Sequence, residues 1–230
     1  MEEDRTQARV PSSGPTLHAR GEAEVEFARV VAFTDGVFAI AITLLVLGLD
    51  VPSRADDLTQ ALLDQRQSLF AYALSFAVLG KLWLSHHSFF GGLHSFDGTL
   101  MVLNLVYLAW IALVPFTSEL LGNYTGETQS VIVYAASVVG VTATFGAQIA
   151  YAYRRGLLNP EYRHLARTTH APGLFAVAMV FTASIAVAFV SPTAAILMWL
   201  ATAVVGSGRR AGGARPQRAR RHPREARQEA

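Results

Sequence analysis

Five side chains capable of acid–base or hydrogen-bond chemistry sit inside stretches that are otherwise apolar: Asp35, Lys81, His86, His87 and Asn104. Groups of this kind are costly in hydrocarbon, so each needs a partner or a water-filled cavity. A carboxylate and an imidazole together suggest proton handling, because histidine titrates near neutrality. A metal reading fails on spacing. His86 and His87 point about 100° apart on a helix, and the other histidines, His18, His94, His164, His170 and His222, are scattered. No Ser-His-Asp arrangement, phosphate-binding glycine loop or nucleotide motif accompanies them. The chain has no cysteine, which excludes disulfides, thiolate metal sites and cysteine nucleophiles. Neither an enzyme nor a cofactor is expected.

The elements that carry these residues are set by composition. Of 230 residues, 52% are hydrophobic and 16% charged, and mean hydropathy is +0.32. Soluble domains run nearer a quarter charged, so the chain is read as an all-α integral membrane protein. A span needs roughly 20 apolar residues. Stretches at about 28–49, 68–90, 99–121, 130–153 and 173–191 meet that need, and residues 193–206 form a short sixth. Residues 173–206 read either as one helix kinked at Pro192 or as two helices turning there. Charge decides for two. Arg5, Arg9, Arg20 and Arg29 precede the first span, and Arg154, Arg155, Arg163 and Arg167 follow the fourth. The connector after the first span is instead acidic, with Asp50, Asp56, Asp57 and Asp64. Six transmembrane helices with both termini cytoplasmic satisfy the positive-inside tendency. One long helix would export the eight arginines of residues 209–230.

Three regions follow. Residues 1–26 are polar, are expected to be disordered, and have no apolar core, so no cleaved signal peptide is expected. Residues 27–208 form the six-helix membrane domain. Residues 209–230 are an Arg-rich tail, expected to be disordered and to anchor topology against anionic lipid; no nucleic-acid partner is expected. The use of 18 arginines against one lysine suggests a GC-rich bacterial genome, hence a multi-pass protein of the plasma membrane.

With the cytoplasmic ends at residues 28 and 90, Asp35 lies roughly 10 Å deep and Lys81 roughly 13 Å. Asp35 is therefore expected to meet Lys81 or His86, with Asn104 of the third span in the same layer. As structure, this is a hydrogen-bonded buckle joining three helices. As function, it is a gating or proton-sensing element. Lys81 can also snorkel to the interface.

The run Arg29-x-x-x-Phe33-Thr34-Asp35-Gly36-Val37-Phe38-Ala39-Ile40-Ala41-Ile42-Thr43-Leu44-Leu45-Val46-Leu47 resembles the first helix of the transmembrane-protein-175 potassium channel family, in its single-repeat bacterial form. The family signature is Arg-x-x-x-Phe-Ser-Asp, and Thr34 keeps the hydroxyl of its serine. Trp83-x-x-His86-x-x-x-Phe90, Asp97-x-Thr99-Leu100, Asn104-Leu105 and Pro115-Phe116-Thr117 extend the likeness over the first half of the chain. The last three spans are similar in hydropathy only. The resemblance implies a potassium-permeable channel, a homotetramer with the first helix lining the pore. It carries Ile40, Leu44 and Leu47 to the pore constriction and Thr43 to a selectivity layer. It gives Arg29, Phe33, Thr34, Asp35, Trp83, His86 and Asn104 a structural polar network. The implied partners are other copies of the chain, the bilayer and potassium ions. The Thr-Val-Gly-Tyr-Gly filter of ordinary potassium channels is absent from the family and from this sequence.

The residues agree in part. Ile40, Leu44 and Leu47 follow i, i+4, i+7 spacing and form one stripe. Around a four-fold axis that stripe makes three apolar rings able to gate by dewetting. The bland alternative is a stripe facing lipid or other helices. Gly36 and Ala39, and Gly140 with Gly146, permit close helix approach without naming the neighbour. A proton-coupled secondary transporter using Asp35 and His86 stays open, although the midplane reads as apolar. So does a non-conducting scaffold; an intramembrane enzyme lacks a catalytic constellation.

Overall fold

The computed structural model describes residues 17–50, 58–165 and 171–207. The Arg-rich tail and most of the acidic connector lie outside the described residues. Those described form eight helices: α1 (Leu17–Leu44), α2 (Leu58–Asp64), α3 (Arg66–Gly91), α4 (Gly98–Asn123), α5 (Thr128–Arg155), α6 (Pro160–Leu165), α7 (Ala171–Ala188) and α8 (Pro192–Ser207). A 3₁₀ turn, Leu45–Gly48, continues α1. Helix α1 begins at Leu17, so the last ten residues of the segment expected to be disordered are helical.

Among the described residues, four helices are long and apolar enough to cross a membrane: Val25–Gly48, Arg66–Gly91, Gly98–Asn123 and Thr128–Arg155. Helices α7 and α8 have 18 and 16 residues. At ~1.5 Å per residue they reach roughly 27 and 24 Å, short of a ~30 Å hydrocarbon core. They are separate helices. Ser191 Oγ accepts from Ala194 N at 3.2 Å, and Pro192 follows as the first helical residue, where its missing N–H costs no bond. The two helices fold against each other: Trp199 Nε1 donates to Ser184 Oγ at 2.8 Å, and the Trp199 ring stacks on Phe181.

Helices α3, α4 and α5 pack in sequence. Helix α1 rests on α3 and α4, while α7 and α8 rest on α5. One core, around Phe38, Phe89, Tyr107, Ile111 and Phe145, joins α1 to α3–α5. A second, around Tyr134, Phe181 and Trp199, joins α5 to α7 and α8. Glycine sets the closest approach: a Cβ on Gly140 would come 2.5 Å from the Trp110 ring of α4. Gly146 faces Leu174 of α7, so these two glycines have different neighbours.

At the end of the bundle where α3 and α5 finish, two connectors clamp together. Gly156 ends α5 with φ +70°, the left-handed geometry that glycine adopts freely. Leu93 and Leu158 then form an antiparallel bridge, with His94 N donating to Leu157 O and Asn159 N to Gly92 O. Burial of the Tyr162 ring against Gly92 pushes its hydroxyl up to about 12.

Candidate functional site

Just inside this clamped end, three helices share a chain of polar contacts. Trp83 Nε1 of α3 donates to Asp35 Oδ1 of α1 at 2.9 Å. Asn104 Nδ2 of α4 donates to Thr34 Oγ1 of α1, also at 2.9 Å. Asn104 Oδ1 lies 3.0 Å from His86 Nε2 of α3, which closes the triangle when that nitrogen carries its proton. Thr34, His86 and Asn104 are buried, and Asp35 and Trp83 partly so. The order of elements dictates this meeting. α1 and α3 run antiparallel, as do α3 and α4, so residues in the first half of the membrane-spanning stretch Val25–Gly48, late in α3 and early in α4 fall at one level.

The pairing differs in detail from the expected one. Asp35 meets Trp83 rather than Lys81 or His86, and Lys81 is exposed. The His86 ring is enclosed, stacked on Tyr107 at 4.9 Å and Phe90 at 4.3 Å. Arg29 and Phe33, grouped with the network by their motif, are exposed on another side of α1. His87 is exposed against Trp83. Among the described residues, no group of histidine and carboxylate side chains could hold a metal ion.

Helix α1 has two faces. Thr34, Phe38, Ala41 and Leu45 point into the subunit, with Phe38 1% and Leu45 3% exposed. Phe33, Gly36, Ile40, Thr43, Leu44 and Leu47 point out; Ile40 is 61% and Leu47 73% exposed. At 100° per residue the outward set falls within roughly 60° of Ile40, and Arg29 lies on the same side. Apart from the backbone of α1 itself and the two neighbouring residues, no atom of the described residues lies within 4 Å of a Cβ built on Gly36. Thr43 Oγ1 donates to Ile40 O at 2.9 Å, so its hydroxyl hydrogen is held by the helix and its lone pairs stay available.

Two further polar features were not singled out in the sequence. Toward the other end, Ser75 Oγ lies 2.8 Å from Ser118 Oγ and 3.1 Å from Tyr134 Oη, joining α3, α4 and α5. Beside His86, the Gln148 side chain and Tyr107 Oη are buried, and among the described residues neither has a partner at full hydrogen-bond geometry. Serines, tyrosines and single amides spaced through apolar helices are the only signal such residues give.

Residues 29–115 match the family described as endosomal/lysosomal potassium channel TMEM175. Over 140 residues the chain is 41% identical to a potassium channel of Streptomyces collinus, covering 58% of this chain and 68% of that one. It is 31% identical over 154 residues to the endosomal/lysosomal proton channel TMEM175 of Gallus gallus, covering 59% of this chain but 30% of that protein. The crystal structure of a lysosomal potassium-selective channel TMEM175 homolog from Chamaesiphon minutus matches with a TM-score of 0.67 at 28% identity. That match covers 80% of this chain and 98% of the homolog.

Proposed function

Because the chain belongs to the TMEM175 family of ion channels, we propose that it is one subunit of a homotetrameric potassium channel whose pore is lined by α1. One observation carries this reading: α1 buries Thr34, Phe38, Ala41 and Leu45 and leaves Ile40, Thr43, Leu44 and Leu47 uncovered. A helix serving only to pack or to face lipid does not need that division to coincide with the family's pore positions. Four copies of the uncovered face, set around an axis, make rings of Ile40, Leu44 and Leu47. Such rings hold the pore shut by excluding water and raise the dehydration barrier for an ion. Thr43 adds a ring of hydroxyl oxygens between them, the ligand type a partly dehydrated potassium ion accepts. The Thr34–Asn104–His86 and Asp35–Trp83 bonds fix the rotation of α1, and so decide which face looks inward.

In this reading α7 and α8 complete a six-helix membrane domain with both termini cytoplasmic, in a bacterial plasma membrane. No covalent chemistry is involved; ions cross down their electrochemical gradient.

Flux in liposomes tests the proposal. Under a potassium gradient the wild-type protein should pass uniporter current, and Ile40→Asn should raise the leak and weaken discrimination between potassium and sodium. Phe38→Asn, on the opposite face, should instead impair folding. Unchanged flux and selectivity in Ile40→Asn would remove α1 from the pore. Because the Gallus gallus relative is named a proton channel, a pH gradient belongs in the same assay. Gradient-driven exchange without uniporter current would support a transporter using Asp35 and His86.

A further inference from the structure

Helices α5 and α7 enclose an open groove of about 590 Å³, a volume in the range of small-molecule pockets, roughly 300–1,000 Å³. Its floor exists because α5 carries small residues at i, i+3 and i+7: Ala143, Gly146 and Ala150. Phe175 of α7 forms part of one wall and is 66% exposed. Apart from Thr142, whose hydroxyl bonds Val138 O of its own helix, polarity is confined to one end. Arg154, in the last turn of α5, lines the mouth beside Tyr153, and the Arg163 guanidinium sits over the Tyr153 ring at 4.9 Å. The charge of the next residue, Arg155, acts on Asp97. The result is an apolar trough with two cationic groups at one end, alongside a helix of membrane-spanning length.

We propose that this groove is a lipid site, taking an acyl chain of an anionic glycerophospholipid from the bilayer and holding its phosphate with Arg154 and Arg163. Apolar walls at membrane depth match an acyl chain, and basic groups at the helix end match a charged head group. Two guanidiniums favour an anionic head group over a zwitterionic one, whose own ammonium they repel. The bound chain fills volume that the small residues of α5 leave open and so links α7 to the rest of the subunit.

The test is native mass spectrometry of the full-length protein in mixed micelles of detergent with dioleoylphosphatidylglycerol or dioleoylphosphatidylcholine. One phosphatidylglycerol should stay with each subunit, in preference to phosphatidylcholine. Arg154→Gln, at an exposed position, should cut that retention about fivefold, the weight of one basic residue near an anionic surface. Gly146→Leu should reduce retention of both lipids by filling the floor. Arg66→Gln, at the opposite end of the bundle, should change nothing. Equal retention of the two lipids, or unchanged retention in Arg154→Gln with wild-type helicity, would overturn the proposal. So would a disulfide between copies of Ala150→Cys, clean in a chain without cysteine, because the groove would then be a subunit interface.

Discussion

Trp83 Nε1 donates to Asp35 Oδ1 across 2.9 Å, and this bond ties the pore-candidate helix α1 to α3 at the layer where Asn104 ties it to α4. Two separate attachments on neighbouring residues, Thr34 and Asp35, fix the rotation of α1 as well as its position. Removing a hydrogen bond to a charged acceptor costs roughly 1.5–3 kcal/mol. Trp83→Phe is therefore expected to lower the Tm of the purified protein and, under the proposed assembly, to reduce tetramer yield, read by light scattering after size exclusion. Asp35→Asn keeps an acceptor and should do less harm than Asp35→Ala. Equal damage from both would mean that the carboxylate charge, rather than the bond, matters.

Asn104 occupies the centre of the buckle, serving His86 with its oxygen and Thr34 with its nitrogen. Truncation leaves two buried groups without partners, at roughly 1–3 kcal/mol each. A double-mutant cycle with Asn104→Ala and His86→Ala should show a coupling of about 0.5–3 kcal/mol in unfolding free energy. Strict additivity would mean that the two side chains touch without depending on each other.

The helices and their polar layer were legible because hydrocarbon demands long apolar runs, against which each ionisable residue stands out. Arg29, Phe33 and Asp35 belong to one motif and Trp83 to another, but neither motif said which of them touch. Only packing reveals that Asp35 reaches Trp83 and that Arg29 and Phe33 turn outward. The Ser75–Ser118–Tyr134 cluster was invisible for the opposite reason. Hydroxyls are common in membrane helices, where they bond their own backbone, as Thr142 does to Val138 O. A cluster therefore gives no periodic signal. Residues 17–26 are polar yet lie within α1: hydropathy registers where a helix enters lipid rather than how far it extends beyond it.

Asp97 caps α4, accepting from Leu100 N at 2.9 Å through Oδ1 and from Tyr151 Oη at 2.8 Å through Oδ2. Desolvation alone would raise its carboxyl; the hydrogen bonds from Leu100 and Tyr151 and the charge of Arg155 outweigh it and hold the group below its ordinary 3.8. A depressed folded value means the contribution is present above the unfolded value and is lost as pH falls through the folded one. The Tm should thus decline as pH drops below about 3.8. Asp97→Asn should flatten that acid limb while leaving the neutral-pH Tm slightly lower. An unchanged acid limb in the variant would assign the decline to other carboxylates.

Gly122 and Gly36 separate packing within a subunit from packing between subunits. A Cβ on Gly122 would lie 2.9 Å from Ser68 Cα, a backbone atom of α3 that cannot swing aside. Gly122→Ala should therefore destabilise the subunit itself by about 1–3 kcal/mol, as overpacking does. Gly36 meets none of the other described helices and sits on the outward face with Ile40, so an isolated subunit should tolerate Gly36→Ala. It should even gain slightly from replacing a mid-helix glycine, by about 0.5–1 kcal/mol. If four α1 helices converge there, the added methyl groups meet across the axis. Tetramer fraction or conductance should then change while monomer stability does not. Comparing subunit unfolding with oligomer mass for the two variants resolves the cases. Loss of assembly in Gly36→Ala alone places other copies of the chain against this face, and no effect in either measurement leaves lipid as its neighbour.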